Sequence, residues 1–449
     1  MRNFHFIGVG GIGMSALAAA AVDCGFTVSG SDRGAGKAEN APINDALAAQ
    51  GVKIYPQDGS RFTSGVPLPD AIVYSTAIEE DNPDFLAAGK TIPRLHRAEF
   101  LKLILETYSD KISIAVTGSC GKSSVTGYLT EVLEQLGGDP VMISGAVSKR
   151  YKTPSNAGNF RPGKGKFLVF EADESDKSLL SYPADYAIIL NIATDHYSKE
   201  ELAEVFTSFL TRNTRKGAVI TPDLAVNAPI ECQTISGLKE YTPGQVPLAV
   251  FDDGRKITLP ASGRHVALNA LAIRKLLAML NFNDDDVLKA LPYFDGVWRR
   301  NDYAGTTPSG ARVYDDYAHN PEKILSCLSG MREISEGKLL AVFQPHGYKP
   351  FGFMEDELFR LMDDFLAAGD RFILLEPFYA GGTSSFSPHA ADVCEKWRAN
   401  SALPDRFMVM PDRETLKEFL LANGKSGDII TIMGARDNSL SIFAADLTL

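Results

Sequence analysis

The stretch 111–138, KISIAVTGSCGKSSVTGYLTEVLEQLGG, decides how the rest of the chain is read. It opens with an apolar run, Ile112 to Val116, and breaks at Thr117-Gly118-Ser119-Cys120-Gly121-Lys122-Ser123. Val125, Tyr128, Leu129, Val132, Leu133 and Leu136 then share one face at helical spacing, and Gly137-Gly138 ends the helix. A strand, a glycine-rich turn and a helix N-terminus together offer backbone N–H groups and a positive dipole end to a phosphate. Lys122 is placed for the outer phosphates and Ser123 for Mg²⁺. Gly118, Ser119, Cys120, Gly121, Lys122, Ser123 and Ser124 are therefore the candidate nucleoside-triphosphate contacts. The general P-loop pattern has a glycine five residues before the Gly-Lys pair, where this chain has Val116, so the motif is the shorter GxxGK[ST] form. Alone, such a run also describes an ordinary glycine turn, and its surroundings must decide.

With 449 residues, the chain is long enough for about three domains. An apolar content of 45% and a charged content of 22% are those of a globular protein able to bury large cores. No apolar run approaches the ~20 residues of a membrane span. The N-terminus runs from Met1-Arg2-Asn3 into FHFIGVG and a glycine turn, not a cleavage site, so no signal peptide is read and a cytoplasmic location is expected. Five scattered cysteines without a CxxC pair argue against a disulfide framework and against a zinc site. A net charge of −11 disfavours a nucleic-acid surface while allowing a local basic pocket for an anionic small molecule.

At the front of the chain, Gly8, Gly10 and Gly13 follow an apolar run and open an alanine-rich helix, and Asp32 ends the next strand. This matches GxGxxG with a ribose-binding acid and supports a rival reading, an NAD(P)-dependent oxidoreductase. The same turn can hold any pyrophosphate, including that of a nucleotide sugar. A strand over 71–78 would bring Ser75 and Thr76 to the same edge as the glycine loop, and a helix over 92–105 would close a first α/β domain near residue 107.

After the P-loop, a short apolar strand runs into Glu171-Ala172-Asp173-Glu174-Ser175-Asp176. Such a cluster can be a solvated turn, but an acid at the end of a buried strand is also the expected second holder of Mg²⁺, and Glu171 is nearest the strand. A further strand ends at His196, which is either a ligand or a hydrogen-bonded structural residue. The helix 263–280 carries Asn269. A change of pattern near residue 296, with Arg299 and Arg300 just beyond it, marks a second boundary. The last third alternates strands over 311–318, 338–346, 371–378 and 428–435 with helices, the pattern of a mostly parallel sheet. Asp316, His319 and His346 sit at its strand ends, where doubly wound folds keep their chemistry.

Taken together and in order, GVGGIGMSALA, SGSD, HRAEFL, GxxGKS, EADESD, NIATDH, GRHVALNA, the hinge RR, DDYAHNP, FQPH, YAGG and MGARD resemble the Mur ligase family along the whole chain. The resemblance implies an α/β protein of three domains. These are an N-terminal Rossmann-like UDP-binding domain (1–107), a central P-loop-type ATPase domain (108–296) and a C-terminal Rossmann-like ligase domain (297–449). It implies that the lactyl carboxylate of UDP-N-acetylmuramate takes the γ-phosphate of ATP and that the acyl phosphate is attacked by an amino acid, L-alanine foremost, in peptidoglycan precursor synthesis. By resemblance, Lys122, Glu171, His196, Arg300 and His319 are catalytic, and Ser123, Glu171 and His196 hold Mg²⁺. Asn269 touches adenine, with Arg300 and Asp316 also on the ATP. Gly10, Gly11, Ile12, Gly13, Ser31, Asp32, Ser75, Thr76 and His346 serve the other substrates. Only small-molecule partners are implied, for a monomer or homodimer.

The chain departs from the alanine-adding branch at several points. GSCGKSS stands for GTHGKTT, Asn320 for a second histidine and Val266 for a common asparagine. FQPH continues as Gly347-Tyr348-Lys349-Pro350 where that branch has FQPHRYTR, so two arginines of the amino-acid pocket lack a counterpart. The amine therefore remains open between L-alanine, another amino acid and a recycled peptide.

Overall fold

The computed structural model describes residues 2–37, 40–63, 65–174, 177–193, 197–379 and 386–449. The chain divides into two compact units. One is built of Met1–Tyr241, Leu248–Pro260 and His265–Val297, the other of Thr242–Pro247, Ala261–Arg264 and Trp298–Leu449.

The first unit starts with strands β1 (Asn3–Ile7), β2 (Thr27–Asp32), β3 (Lys53–Pro56), β4 (Ala71–Tyr74) and β5 (Arg94–His96), all parallel in the order β3-β2-β1-β4-β5. Helices α1 (Ile12–Asp23), α2 (Ala41–Ala49), α3 (Ser60–Thr63), α4 (Pro83–Ala88) and α5 (Arg97–Thr107) connect them. The chain winds outward from β1 through β2 and β3, then returns to the other side of β1 for β4 and β5. The crevice of such a sheet opens where the direction reverses, outside the C-terminal ends of β1 and β4. The expected helix over 92–105 is replaced by β5 followed by α5. Pro93 disfavours a helical Ile92, and the helix starts at a cap in which the Ala98 N–H donates to His96 Nδ1 (3.4 Å) and Glu99 Oε2 accepts from the His96 N–H (2.7 Å).

A second, seven-stranded sheet continues the unit, with β6 (Ile112–Thr117), β7 (Val141–Ile143), β8 (Phe160–Arg161), β9 (Phe167–Glu171), β10 (Ala184–Ile189), β11 (Thr214–Ile220) and β12 (Glu231–Thr234). Its order is β12-β11-β10-β6-β9-β7-β8, parallel except for β8. The P-loop strand β6 thus lies centrally, between the strands that carry the acidic run and the 191–193 segment. Helices α6 (Lys122–Gln135), α7 (Lys199–Arg212), α8 (Arg264–Met279) and α9 (Asp284–Ala290) cover it, and β13 (Leu238–Thr242), β14 (Leu248–Phe251) and β15 (Lys256–Thr258) form a small separate sheet.

These two sheets share one apolar core, in which Phe4, Phe6 and Leu17 belong to the same cluster as Ile143, Phe160 and Phe206. Helix α1 makes this possible. Met14 to Ala21 is buried without interruption, and alanine combines strong helix propensity with a side chain small enough to lie between β2 on one side and β7 and β8 on the other. Asn159 Nδ2 seals the contact by donating to Ile12 O (2.6 Å) and Ser15 Oγ (2.7 Å).

The second unit holds β16 (Asp302–Thr306), β17 (Arg312–Asp316), β18 (Leu339–Gln344), β19 (Arg371–Leu374), β20 (Phe407–Val409) and β21 (Ile429–Gly434) in the order β16-β17-β21-β18-β19-β20. Only β16 runs antiparallel, to β17. Helices α10 (Pro321–Ile334), α11 (Tyr348–Phe365), α12 (Ala390–Asn400), α13 (Arg413–Asn423) and α14 (Ser439–Asp446) pack on the sheet. Because β17, β21 and β18 are neighbours, the loops leaving their C-terminal ends, which carry His319, Arg436 and His346, emerge side by side. Among the described residues, no helix is long and apolar enough to cross a membrane.

Candidate functional site

The P-loop is built from two glycines and an asparagine. Gly118 has φ +131°, and a Cβ there would lie 3.1 Å from the Leu190 and Asn191 nitrogens; Gly121, at φ +87°, caps α6. Asn191, just past β10, brackets Cys120: its Oδ1 accepts from the Cys120 N–H and its Nδ2 donates to the Cys120 carbonyl, both at 2.9 Å. Ser119 Oγ donates to Ala193 O (3.1 Å) and accepts from the Ala193 N–H (2.9 Å). The loop is thus held in shape from the neighbouring strand. Ser124 is half-buried one position beyond Ser123, and Asn269 on α8 stands beside the loop, its amide nitrogen 4.0 Å from where a Gly121 Cβ would be.

Lys122 Nζ donates to Gly118 O (2.9 Å) and Glu174 Oε2 (2.8 Å), with Asp173 Oδ1 at 4.0 Å. Burial works against its charge, but Glu174, Asp173 and Glu171 outweigh burial and raise the ammonium's pKa. Burial also raises the pKa of Glu174, against the pull of Lys122. The acidic run therefore divides its labour: Glu174 and Asp173 face the lysine, whereas Glu171 Oε2 accepts from the Gly145 N–H (2.8 Å) at the end of β9. Ser123, buried in the first turn of α6, and Glu171 are hard oxygen donors of the kind Mg²⁺ takes. Among the described residues, no group of three or more metal-ligating side chains forms, and the expected third ligand, His196, lies outside the described residues.

At the other crevice, Gly8 has φ +75° and its N–H donates to Ser31 O (2.8 Å). Asp32 spends both carboxylate oxygens on the backbone, accepting from Gly10 N–H (2.9 Å) and Gly34 N–H (2.7 Å). Ser31 is fully buried and its hydroxyl donates to Asp84, so it underpins the loop from within. Gly11, Ile12, Gly13, Ser75 and Thr76 remain at least partly exposed. A cleft of about 560 Å³ opens next to Asp32, lined by Arg33, Ile54, Tyr55, Gln57 and Asp58 among others. One residue joins the two crevices. Arg97, the first residue of α5, places Nη1 3.8 Å from where a Gly13 Cβ would be, and its Nη2 donates to Asp173 Oδ2 (3.0 Å).

In the second unit, the two hinge arginines differ. Arg299, 1% exposed and at φ +57°, bonds Asp315 Oδ1 (3.2 Å), Gly434 O (2.6 Å) and Asp437 O (3.0 Å), and so ties the ends of β17 and β21 together. Arg300 is half-buried, with its guanidinium over the Tyr317 ring at 5.3 Å. Asp316 is buried and both its oxygens accept backbone N–H groups, from Asn301 (2.6 Å) and Ala318 (2.7 Å); burial raises its pKa, against Arg300. Like Ser31, it shapes the loop from within. His319 and His346 pack edge to face, ring centres 5.2 Å apart, and His319 Nδ1 lies 2.9 Å from Tyr317 O. Burial, with Lys323 next, pushes His319 down to about 4, and burial with Arg436 and Lys323 lowers His346.

Sequence reasoning did not single out Asn191, Glu174, Asp173 or Arg97 as site residues. Asn191 and Arg97 each carried a signal, since they lie within the NIATDH and HRAEFL motifs.

Three family models match the chain: "Mur ligase family, catalytic domain" over residues 3–109, "Mur ligase middle domain" over 116–275, and "Mur ligase, glutamate ligase domain" over 299–436. A protein of Agathobacter rectalis named UDP-N-acetylmuramate–L-alanine ligase is 31% identical, with 96% of this chain and 95% of the relative covered. One of the same name from Rhizobium meliloti is 32% identical over 99% of this chain and 95% of the relative. Among solved structures, a UDP-N-acetylmuramate–alanine ligase of Thermotoga maritima superposes with TM-score 0.78 at 24% identity, covering 99% of this chain and 98% of that one. A murein peptide ligase of Psychrobacter arcticus gives TM-score 0.68 at 20% identity, covering 100% and 98%. These two structures show the shared fold.

Proposed function

The chain belongs to the Mur ligase family of ATP-dependent ligases, and from that premise we propose that it joins an amino acid, L-alanine foremost, to the lactyl carboxylate of UDP-N-acetylmuramate. The observation that carries the reading is the pairing of two glycine loops in one compact unit. One loop ends in Lys122 and the other opens α1, with Arg97 reaching both Gly13 and Asp173. Such loops hold the phosphates of nucleotides, a nucleoside triphosphate and a nucleotide sugar among them.

The chemistry follows from the weakness of a carboxylate as an electrophile. Its charge repels the amine and its oxide does not leave, so it first attacks the γ-phosphorus of ATP and releases ADP. The acyl carbon of the resulting acyl phosphate then accepts the amine, and phosphate departs. Phosphoryl transfer asks for positioned charge rather than covalent help. Lys122 stays protonated and exchanges Glu174 for the outer phosphates, and Arg300 adds a second cation. Ser123 and Glu171, with His196 by resemblance, would hold Mg²⁺, which would supply positive charge against the phosphates. His319 and His346, neutral at cellular pH, accept hydrogen bonds near the acyl centre. Asn269 reads the base, and Gly10 to Gly13, Ser75 and Thr76 face the UDP-sugar. We place the enzyme in the cytoplasm, with domain boundaries near residues 107 and 296.

A second reading of the amine is favoured by the loop after His346. Gly347 sits at φ +147°, where an arginine would be strained, and on this alternative the amine is a different amino acid or a recycled peptide. ADP release with UDP-N-acetylmuramate and a panel of L-alanine, glycine, L-serine and short peptides tests both. Release that needs the sugar nucleotide and one of the amines is expected. No release above the ATP-only background with any of them would overturn the ligase reading.

A further inference from the structure

The first sheet buries an acid that no step above uses. Along β1, Phe4 and Phe6 face the core shared with the second sheet, so His5 and Ile7 face the opposite side, where Ile7 packs with Phe62 of α3 and Phe85 of α4. Asp84, next to Phe85 in the first turn of α4, is fully buried in this apolar layer. Its two oxygens are divided. Oδ2 accepts from the Ser31 hydroxyl at the end of β2, and Oδ1 accepts from the Gly59 N–H (2.8 Å) just before α3. Asn82 Oδ1 in turn accepts from the Asp84 N–H (3.0 Å), which fixes the acid at the start of α4. Burial opposes the charge of Asp84, but His5, whose Nε2 lies 3.8 Å from Oδ2, the Ser31 hydroxyl and the Gly59 N–H hold its pKa below the ordinary carboxylate value. A carboxylate kept ionised inside an apolar layer is costly unless its bonds fix something.

What the bonds fix is the nucleotide-sugar side of the unit. Ser31 O accepts from the N–H groups of both Gly8 (2.8 Å) and Val9 (3.0 Å), so the glycine loop hangs on Ser31. Gly59, at φ +82°, is pressed on α4, where a Cβ would lie 2.9 Å from Ala87 Cβ and 3.1 Å from Pro83 O. The neighbours of these two partners, Asp32 after Ser31 and Asp58 before Gly59, both line the cleft of about 560 Å³. Asp84 thus spans the base of that cleft, from the wall at the end of β2 to the wall between β3 and α3.

Resting on the ligase reading, we propose that Asp84 is a positioning residue for the nucleotide sugar. Through Ser31 it holds the glycine loop, and through Gly59 it holds the far wall of the cleft, so that loop and cleft keep one spacing. Asp84 is buried and touches no ligand itself; it acts on binding and leaves the transfer of phosphate alone.

The test measures UDP-N-acetylmuramate affinity by calorimetry, and ADP release with the best amine of the panel. Asp84→Ala should raise the Kd and KM of the sugar nucleotide about tenfold or more, with kcat at saturation and the KM for ATP within about twofold. Asp84→Asn keeps an acceptor for Gly59 and a donor for the Ser31 oxygen, and should bring the KM back to within about threefold of the wild type. Ser31→Ala should weaken the sugar nucleotide several-fold, and combined with Asp84→Ala should add little, because the two act as one device. Asp370 of the second unit is the control, a buried acid that likewise accepts two backbone N–H groups, from Leu339 (2.8 Å) and Ala367 (2.7 Å). Asp370→Ala should lower the urea midpoint without moving the sugar-nucleotide KM. A folded Asp84→Ala with unchanged sugar-nucleotide affinity overturns the proposal, as does an equal rise in the KM for ATP or a fully additive double variant. Should Asp84→Ala not fold, Ser31→Ala decides, and unchanged affinity there overturns it too. A wild type that neither binds the sugar nucleotide nor releases ADP would overturn the ligase reading and this proposal with it.

Discussion

The first unit contains two glycine loops of the same local design, a parallel strand, a turn with glycine at positive φ, and a helix, yet they are wired with opposite charge. The loop before α1 is stiffened by an acid, Asp32, which occupies the Gly10 and Gly34 N–H groups. The loop before α6 is stiffened by a neutral amide, Asn191, and carries its own cation, Lys122, with acids set opposite. The helices differ too. α1 buries alanines, whereas α6 buries Glu131, 1% exposed. A loop with no cation of its own can hold a phosphate in place but cannot neutralise one being transferred, which separates binding from chemistry.

The largest expected effect comes from removing the cation. Lys122→Ala should lower ADP release by about 10³-fold or more while UDP-sugar binding, followed by calorimetry, stays within about threefold. Loss of both together would show that the loops do not divide the work. Next comes the buried acid of α6. Burial raises the pKa of Glu131 to about 7 from its ordinary 4.5, against the Asp295 N–H that donates to it at 2.9 Å. Between those values the folded chain holds a proton that the unfolded chain releases, so stability falls as pH rises from about 4.5 to about 7, by roughly 3 kcal/mol in total. Urea midpoints at pH 5 and pH 7.5 should show this fall in the wild type and its absence in Glu131→Gln. A fall that persists in the variant would place its source elsewhere. The smallest effect is Asp32→Asn, which turns one acceptor into a donor facing a backbone N–H. About 1–2 kcal/mol of stability and a several-fold weaker UDP-sugar affinity are expected, with ADP release at saturation retained.

How far the chain could be read before its structure varies by element. The central strands and the glycine-loop helices were foreseen, because long apolar periodicity and glycine punctuation are local signals. β3, β5, β16 and β20 were not, since each has three to five residues and shows too little alternation to stand out. The close union of the first two sheets was also missed; an alanine-rich helix reads the same whether one face or all of it is buried. In the site, EADESD announced carboxylates near the P-loop but could not say which one meets Lys122. RR announced a hinge cation but not that Arg299 would be an internal strut while Arg300 lies over Tyr317.

The sequence by itself determined the family, the order of α/β layers and the position of both phosphate loops. These rest on backbone conformations that only glycine adopts readily and on helix termini a few residues away. Only the tertiary structure decided the partners of each charge: Glu174 on Lys122, Asp32 on Gly10, Asp316 on its own loop, and Asp84 on Ser31 and Gly59. Neighbouring residues in an acidic or basic run have nearly the same composition and opposite directions, and direction is set by the register of strands dozens of residues apart.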